Sequence, residues 1–97
     1  MTDKGVEAVL QQARFYRLCE KFLSRANNNS LEEKKTLAKE IGTIFEAVVD
    51  SDRNSQGPVN REKYRDMLMQ LKRVAAVSSL SLAEVVPDKP VLTLVIN

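Results

Sequence analysis

Three side chains that carry oxygen ligands recur at alternate positions near the middle of the sequence: Asp50, Asp52 and Asn54. Carboxylate and amide oxygens are the ligands that proteins use to bind Ca²⁺. Gly57 follows three residues later, and glycine permits the sharp turn that a loop around an ion requires. These residues are therefore the candidates for metal chemistry.

The stretch from Val48 to Tyr64 resembles the helix–loop–helix of the EF-hand family, whose calcium loop reads D-x-[DN]-x-[DN]-G and ends in a bidentate glutamate. The resemblance departs from the family at the sixth position, where Ser55 replaces the glycine. If the loop is two residues longer, the bidentate ligand becomes Lys63, whose ammonium group would repel a cation. The resemblance implies a degenerate EF-hand with weak or no calcium binding. The competing interpretation is a polar bend between two helices, with no metal and no cofactor.

Four basic side chains form a second candidate site in the first predicted helix: Arg14, Arg17, Lys21 and Arg25. Spacings of three and four residues place them on one side of a helix. Such a stripe can bind phosphates or an acidic protein surface, although the solvated face of any amphipathic helix has the same pattern. The net charge is only +2, which is far below the usual surplus of a nucleic-acid-binding domain. The sequence therefore favours an acidic protein partner over nucleic acid.

The composition argues against an enzyme. Histidine is absent and Cys19 is the only cysteine, so the commonest general base and metal ligand is missing. Cys19 falls on the apolar side of the first helix, which predicts a small buried hydrophobic residue rather than a nucleophile.

Hydrophobic periodicity predicts three amphipathic helices, at about residues 2–25, 30–49 and 60–76. The second has the clearest start, because Ser30 precedes Glu33 by the three residues of a capping box. Tyr64 begins the apolar face of the third, which continues through Met67, Leu68, Leu71, Val74 and Ala75. The first two helices are joined by a short asparagine-rich loop.

The C-terminal residues are rich in β-formers, which predicts a β-hairpin of residues 79–86 with 91–96. A short helix from Ser81, capped by Glu84, is the alternative for the first of these segments. An exposed apolar strand would pair with another strand, so the sequence proposes a partner-binding set consisting of Val91, Leu92, Leu94 and Ile96.

Ninety-seven residues, 43% of them hydrophobic, suit a single domain spanning 1–97. The predicted fold is mainly α: a three-helix up-down-up bundle with a C-terminal β-hairpin or extended strand packed on it. One cysteine, no apolar leader and no segment of transmembrane length favour the cytoplasm, or a host cytoplasm.

The function that these features predict is a small non-enzymatic protein–protein interaction module of the adaptor, regulator or inhibitor type. Its partner would be another protein or a second copy of the chain, a homodimer formed through the apolar C-terminal strand. The alternatives are the degenerate EF-hand and binding of nucleic acid or an acidic partner to the basic stripe.

Overall fold

The computed structural model describes residues 4–56 and 61–96, with the side chains of residues 9–51, 62 and 64–93. Its α-helices are α1 (Lys4–Ser24), α2 (Leu31–Gln56), α3 (Arg65–Val77), α4 (Leu82–Val85) and α5 (Lys89–Ile96). Short 3₁₀ turns at Ala26–Asn28 and Arg61–Tyr64 precede α2 and α3. The prediction of a mainly α protein is confirmed, and the radius of gyration of 13.3 Å is close to the ~13 Å of a compact domain of this length.

The contact between α1 and α2 is the most extensive in the molecule. Phe15, Cys19 and Phe22 bury the apolar face of α1, as the periodicity predicts. The start of α2 is also as predicted, because the Glu33 N–H donates to Ser30 Oγ at 3.2 Å and the Ser30 N–H donates to Glu33 Oε1 at 3.4 Å. This capping box satisfies backbone donors that have no partner inside the helix.

The third helix buries the whole face that its sequence predicts, from Tyr64 to Ala75. It ends with Ser79 in the left-handed region at a φ of 58°. The Leu80 N–H donates to Ala75 O at 2.9 Å and the Ser79 N–H donates to Ala76 O at 3.2 Å. These are the two hydrogen bonds of a Schellman motif, and they turn the chain from α3 towards α4.

The predicted C-terminal β-hairpin is wrong, because residues 82–85 form α4 and residues 89–96 form α5. The alternative helix at Ser81 is confirmed: the Glu84 N–H donates to Ser81 Oγ at 3.3 Å and the Ser81 N–H donates to Glu84 Oε2 at 2.7 Å. Asp88 caps α5 by accepting the Val91 N–H at Oδ1, at 3.3 Å. Pro90 then lies in the first turn, where a helix tolerates the missing N–H.

Tertiary contacts explain why helix prevails over the β-propensity of these residues. Val85, Val86 and Val91 are each at most 1% exposed, in segments that pack on α2, on α3 and on the turn before α3. The Asp88 N–H also donates to Glu46 Oε1 of α2 at 3.3 Å. β-Propensity largely reflects the packing environment of a side chain, and here that environment is a surface made of helices.

The core is centred on aromatic side chains from three elements. The Phe45 ring lies 6.0 Å from that of Phe15 and 6.3 Å from that of Tyr64, between ring centroids. These rings join α1, α2 and the turn before α3. The up-down-up order of the three long helices stays a prediction. Within residues 4–56 and 61–96, no helix is long and apolar enough to cross a membrane.

Candidate functional site

The candidate calcium ligands Asp50, Asp52 and Asn54 do not lie in a loop. The second helix is longer than predicted and includes them. Helix α2 continues past Val49 to Gln56, since no glycine or proline occurs between Val49 and Gly57. Asp50, Asp52 and Asn54 are therefore on helical backbone, whereas an EF-hand wraps a non-helical loop around its ion.

Asp50 is half-buried, and the side chains of Asp52 and Asn54 lie outside the described residues. In the part of the chain with described side chains, no group of three or more His, Cys, Asp or Glu residues is placed to hold a metal ion. Residues 50–56 therefore do not have the geometry of a calcium loop. Of the remaining residues of the resemblance, 57–60 lie outside the described ranges and Arg61–Tyr64 form a 3₁₀ turn.

The basic stripe is exposed along its whole length, with Arg14, Arg17 and Lys21 on α1 and Arg25 directly after it. Lys21 and Arg25 line a groove between α1 and α2, and the other two arginines do not. Lys21 and Arg25 therefore lie beside a concave surface, and Arg14 and Arg17 lie on an exposed helix face outside it.

The groove has a volume of about 240 Å³. Its floor is apolar, formed by Phe22 and Ile41, which are 4% and 3% exposed. Leu18 lines the groove from α1 and Leu37 from α2, with Asn29 of the connecting loop between the helices. Leu37 is 37% exposed.

The charges beside the groove differ in sign between the two helices. Lys21 and Arg25 belong to α1 or its end, and Glu40 belongs to α2. A neighbouring hollow shares Leu37 and is lined by Glu32, Glu33 and Thr36. An exposed leucine is therefore flanked by cations from one helix and carboxylates from the other.

The C-terminal residues that were predicted to bind a partner lie in helix α5 and not in an exposed strand. Val91 is completely buried and Leu92 is half-buried against the core. The side chains of Leu94 and Ile96 lie outside the described residues. Val91 is therefore a core residue. A role of this segment in association stays a prediction, and it would not involve strand pairing because the segment is helical.

Two groups with shifted pKa values lie in or near the core, and neither lines the groove. Cys19 is 1% exposed, which confirms the prediction of a buried residue, and this burial raises the pKa of its thiol to about 12. Burial, with a smaller contribution from the negative charge of Asp66, raises the pKa of the Tyr16 hydroxyl. At neutral pH the Cys19 thiol is therefore protonated, and a protonated thiol is a poor nucleophile.

The groove was not predicted from the sequence, although its parts carry a local signal. Leu18 and Phe22 are four residues apart on α1, and Leu37 and Ile41 are four apart on α2, so each pair shares a helix face. A short loop brings the two helices together. Whether the two pairs meet closely or leave a groove depends on the tertiary packing.

No protein-family model matches this sequence, and comparisons with curated proteins and with solved structures find no similar protein. The functional interpretation therefore rests on the geometry of the groove and on the composition.

Proposed function

We propose that this protein is a small non-enzymatic protein–protein interaction module, of the adaptor, regulator or inhibitor type, and that its docking surface is the α1–α2 groove. The observation that carries the proposal is Leu37, a large apolar side chain that is 37% exposed beside the buried apolar floor of the groove. Binding energy at protein interfaces concentrates where a bulky side chain fills such a hollow.

The size of the groove favours a side chain of a protein partner as its occupant. Its volume of about 240 Å³ is smaller than the roughly 300–1,000 Å³ of a typical small-molecule pocket. Burial of one large aliphatic side chain contributes about 1.5–3 kcal/mol. One or two such anchors, with polar contacts around them, support a weak and reversible interaction.

The non-enzymatic part of the proposal rests on composition and on the state of the only thiol. The sequence contains no histidine, and burial keeps Cys19 protonated. General acid–base and nucleophilic catalysis depend most often on these side chains.

Selection of random helical peptides displayed on phage, with the folded full-length protein as bait, tests the docking surface. We expect enriched peptides to share large apolar residues at helical spacing, and to bind at least about tenfold more weakly to the Leu37→Gln variant, since the loss of one apolar anchor costs about 1.5–3 kcal/mol.

The matched control is Met69→Gln on α3. Met69 is 59% exposed and does not line the groove, so we expect this variant to bind the selected peptides as the native protein does. Glutamine is a good helix former, and the helical circular dichroism of both variants should be unchanged. Selection of no peptides, or equal binding by both variants, would overturn the proposed function.

A further inference from the structure

The surface around the groove has charges of opposite sign on opposite sides of Leu37. The basic wall consists of Lys21 and Arg25, which are exposed at the C-terminal end of α1. The acidic wall consists of Glu32, Glu33 and Glu40, which are exposed on α2. The apolar centre between the two walls is Leu37.

Helix geometry keeps the acidic wall beside the apolar centre. Leu37 follows Glu33 by four residues and precedes Glu40 by three, which are the spacings of neighbours on one helix face. Lys21 and Arg25 are also four residues apart, a separation of about 6 Å along a helix axis. The two cations of the basic wall are therefore about one helical turn apart, whereas Glu33 and Glu40 of the acidic wall are seven residues, or about two turns, apart.

The basic wall has no carboxylate partner inside the described part of the molecule. Among residues 9–51, 62 and 64–93, no acidic side chain forms a salt bridge with Lys21 or Arg25. Their charges are therefore available to the acidic groups of a partner.

A patch with cations on one side, an apolar centre and anions on the other is self-complementary under a two-fold rotation. A two-fold axis beside Leu37 relates the two copies. Because the rotation reverses the direction from one wall to the other, the basic wall of each copy faces the acidic wall of its partner. Isologous dimers use the same patch on both subunits in this way.

We propose that the occupant of the groove is a second copy of this chain. The two copies form a symmetric dimer in which the Leu37 side chains contact each other at the centre and the basic wall of each copy pairs with the acidic wall of its partner. The inference rests on the proposed function of the groove as a docking surface, and it differs from the dimer through a C-terminal strand that the sequence predicts.

The same charges argue against nucleic acid on this surface. The three carboxylates of the acidic wall repel phosphates, and Phe22, the aromatic residue of the groove, is only 4% exposed. Nucleic-acid-binding grooves present accessible aromatic faces on which bases stack. Binding of an oligonucleotide that Lys21→Glu abolishes, by a protein that stays monomeric, would overturn the proposal.

Sedimentation equilibrium of the full chain over a concentration range of about 1 µM to about 1 mM tests the dimer. We expect a monomer–dimer equilibrium whose dissociation constant rises with salt, because the wall-to-wall contacts are exposed charge pairs that ions screen. The variants Lys21→Glu/Arg25→Glu and Glu32→Lys/Glu40→Lys should each dimerise at least about tenfold more weakly, since like charges then face each other.

An equimolar mixture of these two variants gives the decisive result. In the mixed dimer the acidic α1 wall of one variant faces the basic α2 wall of the other at one contact, and at the second contact the native basic α1 wall faces the native acidic α2 wall. We therefore expect the mixture to form a heterodimer that is more stable than the homodimer of either variant. A merely destabilised fold could not produce this rescue.

The control variant is Arg65→Glu/Lys72→Glu on α3, which changes the net charge by the same amount at exposed residues outside the groove. It should dimerise as the native chain does. A native protein that is monomeric up to about 1 mM, dimers that persist in both wall variants, or a mixture that stays monomeric would each overturn the inference. Peptide binding that depends on Leu37 would survive these results, so failure of the dimer and failure of the docking surface are distinguishable.

Discussion

Gly42 of α2 lies directly against the backbone of Val85 in α4. A β-carbon at residue 42 would overlap the Val85 carbonyl oxygen and would lie 2.9 Å from Val85 Cγ1. The absence of a side chain therefore allows α4 to approach α2 closely enough to bury Val85, which is 1% exposed.

We expect Gly42→Ala to lower the free energy of unfolding by about 1–3 kcal/mol, because α4 must move away from α2. Alanine has the higher helix propensity by ~0.8–1.0 kcal/mol, so the clash must exceed that gain. Urea denaturation measures the change. Thr43→Ala is the control, since Thr43 is exposed on the next position of the same helix; a stabilised Gly42→Ala protein would contradict the close contact.

The capping box of α4 makes the stability depend on pH at acidic values. Hydrogen bonds from the backbone and hydroxyl of Ser81 lower the pKa of Glu84 below its ordinary value of 4.5, with smaller contributions from Lys35 and Lys39. Because the pKa of Glu84 is lower in the folded state than in the unfolded state, the ionised side chain stabilises the fold. This stabilisation is fully present above the pKa of the unfolded state and is lost as the pH falls through the pKa of the folded state.

We therefore expect Glu84→Gln to reduce stability at pH 7, and the difference from the native protein to shrink below about pH 4.5. Urea midpoints at pH 7 and at pH 3 measure this difference, and an equal difference at both pH values would contradict it. Ser81→Ala removes the other half of the box and should cost ~1 kcal/mol.

The thiol of Cys19 should report the opening of the core. Cys19 is 1% exposed, and its burial raises the pKa of the thiol to about 12. Thiol reagents require an accessible thiolate, so they should react only when the core opens. We expect reaction with Ellman's reagent at pH 8 to be slower in the folded protein than in concentrated urea by on the order of 10³ or more, the folded-to-unfolded ratio of a small domain. Rapid stoichiometric labelling of the folded chain would contradict this burial.

Val91 should contribute to stability as a core residue. It is 0% exposed, so Val91→Ala should lower the free energy of unfolding by about 1.5–3 kcal/mol. Thr93→Ala, at an exposed position of the same helix, should change it by less than about 0.5 kcal/mol. Chemical denaturation of the two variants compares them. An unchanged stability of Val91→Ala would mean that α5 does not pack on the core in solution.

Much of the helical framework could be predicted because its signals are local. The apolar spacing of Phe15, Cys19 and Phe22 predicted the buried side of α1, and the pair Ser30 and Glu33 predicted where α2 begins. The short α4 was also visible in Ser81 and Glu84, but only as an alternative to a strand. Of the candidate site, the sequence identified Lys21 and Arg25, although it did not separate them from the rest of the stripe.

The sequence by itself determined a mainly helical protein with three amphipathic helices, because helix propensity, capping and one-sided burial depend on residues a few positions apart. Only the tertiary structure decided that Val91 lies in a helix, that Leu37 remains partly exposed and that α1 and α2 leave a groove between them. These features depend on how closely distant segments approach each other, as Gly42 and Val85 do. Such distances follow from the packing of the whole core and leave no pattern in neighbouring residues.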